Sequence, residues 1–284
     1  MHDEKDHILT SKNTISHIKL PALYESEPAF SVVFVIGMHR SGTSLTTRIV
    51  NIAGYTIGNS ADIIGPDSGN PTGYWEHRSF VSLNRKIIAC YLMPKFLSAL
   101  FFSKLKKKAV ELISSFKDCR KIALKDPIAS ITLPFWISAV REALPERDVK
   151  ILVIICVRNP LDVSKSLQNR GLIITKINCG LWEKYISSAF KNSEGLPRHV
   201  VHYENYFDGE CDNLINNLSS FLGINLTVEQ ALWIKSFIDP NLRESDIGDG
   251  IWRSNLSIGA KQLYLNLLKQ KNKRIKNNGM LNLT

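Results

Sequence analysis

Residues 31–54 read SVVFVIGMHRSGTSLTTRIVNIAG. Val32 to Ile36 is an unbroken apolar run, the pattern of a central parallel strand covered on both faces. Gly37 and Gly42 bracket a loop of small polar residues. Leu45, Ile49, Ile52 and Ala53 then recur at helical spacing, with Gly54 where a C-terminal cap belongs. A tight loop running from a strand into a helix N-terminus aims backbone N–H groups at one point, and the helix dipole adds partial positive charge there. The stretch predicts an anion cradle.

The cradle departs from the commonest phosphate loop. Aligned on G-x-x-x-x-G-K-[ST], the frame is Gly37 to Gly42, but Thr43 stands where the lysine belongs. A nucleotide hydrolase also needs a magnesium-holding acid at the end of a second strand. The second long apolar run, Ile151 to Val157, ends instead in Arg158-Asn159-Pro160, and the positive charge of the first loop has moved to Arg40. Both changes point to an anion held by arginine and backbone, with no metal ligands expected. A phosphate-loop nucleotide kinase or nucleotidase is the alternative reading. A non-catalytic polyanion-binding module is the other.

Around these loops, strand and helix patterns alternate: strand 31–36, helix 43–53, a long excursion, strand 121–124, helix 130–143, strand 150–157 and helix 160–169. Helix 180–191, strand 199–203 and helices near 210–222 and 227–238 follow. Such alternation predicts right-handed βαβ units, giving an α/β fold: a P-loop-like three-layer sandwich with a central parallel sheet. Ligands in such sheets gather beyond the carboxyl ends of the strands, so the Gly37 loop, Lys125 and Arg158 belong on one rim. The expected organisation is a leader over 1–29, one domain over 30–255, and a basic C-terminal helix and tail over 256–284.

Composition sets the bounds. With 284 residues and 44% hydrophobic content, the chain can bury one large α/β core. Six of the net ten positive charges fall in residues 260–284, which contain no acid; a solvated helix end is the favoured reading over an anionic partner. Five scattered cysteines (90, 119, 156, 179 and 211) have no metal-like spacing and read as reduced thiols, Cys156 as a small buried hydrophobe in its strand. The N-terminal residues lack a signal-peptide pattern, and no apolar run approaches the roughly 20 residues that span a bilayer, so a cytoplasmic location is expected.

Two more anion signals accompany the loop. Asn159 is placed to cap a helix whose first position is Pro160, which leaves the Arg158 fork at the strand end for a phosphate. Lys125 leaves a short apolar strand just before the Asp126-Pro127 turn. Together these residues resemble the sulfotransferase superfamily, most closely its tyrosylprotein and bacterial glycan branches. Arg40-Ser41-Gly42-Thr43-Ser44 is similar to that family's 5′-phosphosulfate loop. Arg158 and Ser166, eight residues apart, are similar to its 3′-phosphate pair. Tyr203-Glu204, followed by Phe221-Leu222-Gly223-Ile224, resembles a segment frequent in bacterial members. The resemblance covers roughly residues 31–225. It implies 3′-phosphoadenosine-5′-phosphosulfate (PAPS) as sulfonate donor and adenosine 3′,5′-bisphosphate (PAP) as product. It places Arg40 and Lys125 at the reacting sulfonate and leaving phosphate, and Arg158 and Ser166 at the 3′-phosphate. The implied acceptor is a hydroxyl, less readily an amine, on a glycan or lipid-linked glycan; no nucleic-acid partner is implied.

Such a reaction needs a general base. Glu76 is the candidate: it follows the Gly/Pro-rich loop 65–73 and lies four residues before Phe80, on the apolar side of a following helix. The competing reading is a carboxylate stabilised by a helix N-terminus. His77, expected to turn off the apolar face, and His39, at a variable loop position, are rival bases. Residues 91–110, YLMPKFLSALFFSKLKKKAV, combine an apolar run with a lysine-rich end. They read as a core-covering helix with a solvated basic end, ahead of a lid or a helix at a membrane surface. Arg243 and Arg253 are further, unsupported candidates for the nucleotide.

Overall fold

The computed structural model describes residues 30–67, 70–145, 147–169, 175–238 and 256–281; the side chains of residues 175–176 and 272–281 are not described. The leader 1–29, Ser68, Gly69, Arg243 and Arg253 lie outside the described residues, as do the side chains of the cations at 273, 274 and 276.

Four strands form one parallel sheet: β1 (Phe30–Gly37), β2 (Lys121–Lys125), β3 (Val149–Val157) and β4 (Arg198–His202), in the order β2-β1-β3-β4. Side-chain alternation along β1 explains the layers. Val32, Phe34 and Ile36 enter one core with α2 (Arg78–Tyr91), α3 (Lys95–Ser114) and α4 (Ala129–Ala143). The same core takes in α5 (Pro160–Gln168), α6 (Thr175–Asn192) and α9 (Ile258–Leu281). Val33 and Val35 enter the opposite core with α1 (Thr43–Ile52), α7 (Cys211–Leu222) and α8 (Val228–Ser236). β1 is buried at every position because both its faces are covered, which is why its sequence shows no alternation.

α6 begins at Thr175, five residues before the sequence pattern places it. Gly180 is a residue of this helix, where a Cβ would meet nothing within 4 Å; glycine there costs only about 1 kcal/mol relative to alanine. α3 is split in character. Its later turns bury Leu105, Ala109, Leu112 and Ile113, whereas its first turns are exposed. The first turns of α9 pack on α6 through Ala260, Tyr264 and Leu267, with Tyr264 edge-on to Trp182. Among the described residues no helix is long and apolar enough to cross a membrane.

The strand order positions the site. The chain leaves β1 for β2 on one side, then crosses back to β3 on the other, so β1 and β3 flank the point where the winding reverses. Gly37 pairs with Cys156, and Val35 with Lys125. The loops after β1, β2 and β3 therefore leave the sheet at the same edge.

Candidate active site

A cleft of about 530 Å³ opens at that edge, a size suited to a nucleotide-sized ligand. Of the ten residues that the sequence singles out as the site, Arg40, Gly42, Thr43, Ser44, Glu76, Lys125, Arg158 and Tyr203 line it. Ser41 and Ser166 do not; both are fully buried behind its wall. Among the described residues the lining carries four cations (Arg40, Arg48, Lys125 and Arg158) against one carboxylate, Glu76.

The loop after β1 is held tightly. Gly37 has φ 136, and a Cβ there would lie 2.3 Å from the Cys156 carbonyl oxygen. Its N–H donates to Ser130 Oγ at 3.0 Å, which ties the loop to α4. Gly42 has φ 83, and a Cβ there would reach 2.7 Å from Tyr203 Cδ2. Only glycine lets the loop close onto that ring. Gly42 is also the N-cap of α1, and no side chain caps the helix. The N–H groups of its first turn, which lack an intrahelical acceptor, thus remain available to a bound anion. The Ser41 hydroxyl is buried without a hydrogen-bond partner.

Two charged clusters sit at this rim. In the first, Lys125 Nζ donates to Glu76 Oε1 at 2.5 Å, to the Tyr74 carbonyl at 3.1 Å and to Ser44 Oγ at 3.3 Å. The Lys125 and Glu76 side chains are 3% and 12% exposed. Glu76 is not on a helix: α2 begins at Arg78 with His77 as N-cap, and Glu76 is placed by a strap in which Ile64 N–H donates to its carbonyl. The Lys125 ammonium, rather than a helix terminus, is its partner. His77 does not turn off the apolar face. It is buried against Phe116, its N-cap backbone turning the ring inward, and burial lowers its pKa. His39 lines the cleft beside Tyr185, where burial, reinforced by Lys125, Arg40 and Arg85, pushes its pKa down to about 4.

In the second cluster, Arg40 Nε donates to Ser166 Oγ at 2.7 Å and Arg158 Nη1 donates to the Arg40 carbonyl at 3.1 Å. The Arg158 guanidinium lies 4.2 Å over the Tyr203 ring, and Trp182 Nε1 fixes the Arg158 carbonyl at 3.0 Å. Arg40 is thereby drawn to the Arg158–Ser166 side, whereas the resemblance groups it with Lys125. Its backbone is left-handed, φ 67, a conformation that costs a non-glycine residue on the order of 1–2 kcal/mol. Asn159 caps α5 by accepting from Leu161 N–H, and its own N–H donates to Glu204 Oε1 at 3.1 Å. Burial raises the pKa of Glu204.

Sequence reasoning passed over three features. Asn84 is fully buried: it donates to Asp126 Oδ2 at 2.9 Å and accepts from Thr132 Oγ1 and Trp136 Nε1, which fixes the turn carrying Lys125. Its signal was a lone amide between the apolar positions Phe80 and Ile87. Asp126, buried and near Glu76, is pushed up to about 7. The third feature is an aromatic wall of Trp75, Phe207 and Phe237 at the cleft, with Arg48 lying 4.3 Å over the Trp75 ring and 4.8 Å over Phe237. These aromatics are scattered in sequence, so no local motif exposes them. Among the described residues no group of three or more His, Cys, Asp or Glu side chains could hold a metal ion.

No family model and no curated protein sequence matches the chain. Among solved structures it is similar to sulfotransferase STF9 from Mycobacterium avium (13% identity, 86% of this chain and 77% of that one, TM-score 0.46). It is similar also to the sulfotransferase domain of the Synechococcus PCC 7002 olefin synthase (16%, 86% and 96%, 0.46). A third is sulfotransferase STF1 from Mycobacterium tuberculosis H37Rv (12%, 75% and 72%, 0.45). All three are bacterial sulfotransferases. At these identities the likeness assigns the chain no activity.

Proposed function

We propose that the chain is a sulfotransferase moving a sulfonate group from PAPS to an acceptor hydroxyl, on a carbohydrate, by direct in-line transfer. One observation carries the reading: a lysine-free anion loop, the Lys125–Glu76 pair and the Arg40–Arg158 pair converge on a single cleft. The residues fit a ligand with anionic groups and an aromatic base. Uncapped N–H groups and cations lie at the loops, and Trp75, Phe207 and Phe237 offer aromatic surface.

PAPS supplies an activated sulfonate whose transfer releases PAP. In that transfer a bond forms from sulfur to the acceptor oxygen, the bond from sulfur to the phosphate oxygen breaks, and negative charge builds on the latter. Lys125 and the first-turn N–H groups of α1 neutralise that charge from fixed positions, the efficient arrangement for a developing oxyanion. Glu76 takes the acceptor proton. The 2.5 Å pair holds the carboxylate beside the Lys125 ammonium at the rim, within the same cleft as the anion loop. Arg158 and Arg40 hold the second phosphate, and Ser166, buried behind them, positions the Arg40 guanidinium.

A thermal-shift comparison tests the reading. Stabilisation by PAP without divalent metal supports it; stabilisation by Mg-ATP alone favours a kinase or nucleotidase and defeats it. Arg40→Ala with wild-type sulfonate transfer to a glycan panel defeats the assigned mechanism.

A further inference from the structure

The α2–α3 hairpin carries a surface that the cleft does not use. At its tip Leu92 is 83% exposed, Phe96 75% and Leu100 71%, and Tyr91, Met93 and Phe101 are exposed beside them. Large side chains clustered in this way mark a surface that meets something other than water. The charge around them is one-sided. From His77 to Val110 the sequence contains eight Lys or Arg and no Asp or Glu. Lys95, Lys104, Lys107 and Lys108 are exposed; Lys106 alone is drawn inward, to Glu142 on α4 at 3.4 Å.

The tip also has a direction. Phe80 packs on Phe34 in the middle of β1, Asn84 reaches Asp126 just past the end of β2, and Arg85 is close enough to His39 to act on its ionisation. α2 therefore climbs from the centre of the sheet to the cleft edge. Its last two turns keep Ile87 and Cys90 in the core, and the exposed tip begins at Tyr91, where the helix ends.

We propose that this tip docks on the surface of an anionic lipid bilayer, with Leu92, Phe96 and Leu100 entering the boundary between headgroups and acyl chains and the lysines meeting lipid phosphates. Apolar insertion combined with cationic attraction is the physics of interfacial helices. A second copy of this chain would bring two acid-free cationic surfaces face to face, which opposes self-association. An acidic protein would need a concavity matched to a projecting helical end, whereas a fluid interface covers every apolar residue at once. Docked by this tip, the cleft is held at the bilayer. Resting on the sulfotransferase reading, the acceptor is then a hydroxyl of a membrane-resident amphiphile such as a lipid-linked sugar.

Vesicle sedimentation of the full chain tests this, comparing phosphatidylcholine alone with the same lipid containing about one-third phosphatidylglycerol. Binding to the mixed vesicles is expected to be at least about tenfold tighter, and to weaken by a similar factor at high salt. The triple variant Leu92→Ser, Phe96→Ser, Leu100→Ser should lose at least about tenfold in partitioning, because buried apolar area is removed. Its unfolding temperature should be unchanged, since these side chains are already in water. The variant Lys104→Glu, Lys107→Glu, Lys108→Glu, with the apolar tip intact, should also lose its preference for anionic vesicles. Wild-type protein that stays in the supernatant overturns the proposal, as does equal binding by the triple variant. A dimer in solution that the triple variant abolishes assigns the tip to self-association and overturns it too. Vesicle binding without PAP stabilisation defeats the sulfotransferase reading alone; PAP stabilisation without vesicle binding defeats the docking alone.

Discussion

The Glu76–Lys125 pair gives the sharpest test of how this cleft works. The two side chains are nearly out of water and 2.5 Å apart. Removing one partner of such a pair typically costs about 3–5 kcal/mol, because the other charge is left buried. Glu76→Gln is milder. The amide oxygen still accepts from Lys125, which also keeps its bonds to the Tyr74 carbonyl and Ser44 Oγ. The loss then approximates one charge-assisted hydrogen bond, about 1.5–3 kcal/mol, or roughly 4–10 °C in Tm for a domain of this size. Lys125→Met strands a carboxylate, and the double variant strands nothing, so the two substitutions should couple by about 2 kcal/mol. Urea unfolding of the four proteins at neutral pH measures this. In single-turnover transfer, Glu76→Gln should be slower by about 10²–10⁴-fold if the carboxylate takes the proton, with PAP affinity nearly unchanged. Strict additivity of the two stability losses would refute the pairing. Wild-type turnover in Glu76→Gln would refute the base.

Three further outcomes follow from the same geometry. Gly42→Ala places a methyl 2.7 Å from Tyr203 Cδ2 at φ 83; a loss of about 1–3 kcal/mol is expected, together with weaker PAP stabilisation because the displaced ring underlies Arg158, both read in one thermal-shift series. Asn84→Leu strands Asp126 Oδ2 and the Thr132 and Trp136 donors, so Tm should fall by about 5–15 °C from a loss of 2–4 kcal/mol. Asp126 titrates near 7 in the folded protein instead of 3.8, chiefly through burial. Its raised pKa makes the folded state hold a proton that the unfolded chain releases, so its contribution is fully present below about pH 4 and is lost as pH rises through 7, on the order of 4 kcal/mol in all. Urea midpoints from pH 5 to 8 should decline accordingly, and Asp126→Asn should flatten that decline.

Much of this architecture was legible in the sequence because its central strands carry unbroken apolar runs and its helices keep a helical period. β1 and β3 read as continuous apolar runs because both their faces are covered, and Asn159-Pro160 marks the start of α5 with a cap that the structure shows bonded to Leu161. The rim placement of Gly42, Lys125 and Arg158 followed from parallel topology alone. The orientation of His77 did not, because one residue at a helix N-cap answers to its backbone turn rather than to the helical wheel. Glu76 was reached by counting back along a helix to which it does not belong; the strap through Ile64 is what aims it at Lys125. Such tertiary pairings leave no periodic trace. The same holds for Trp75 and Phe237, which share a wall at the cleft although far apart in the chain.

The two non-glycine residues with left-handed backbones among those described, Arg40 and Trp75, both line the cleft. Strain of on the order of 1–2 kcal/mol at each survives only where surrounding contacts over-determine it. At Arg40 those contacts are explicit: its carbonyl accepts from Arg158 at the end of β3 and its Nε donates to Ser166 on α5. Trp75 is fixed by its Nε1 bond to the Thr72 carbonyl and by the Arg48 guanidinium over its ring. The loop after β1 therefore takes its shape from β3 and α5 as well as from its own glycines. Since Gly37 pairs with Cys156 two residues before Arg158, the register of β1 against β3 decides whether Arg158 can reach the Arg40 carbonyl at all. Slipping that register by one residue would turn β3's core-facing side chains over and move Arg158 off the loop together. The cleft's cations are thus placed by the same strand register that sends alternate side chains into the two cores.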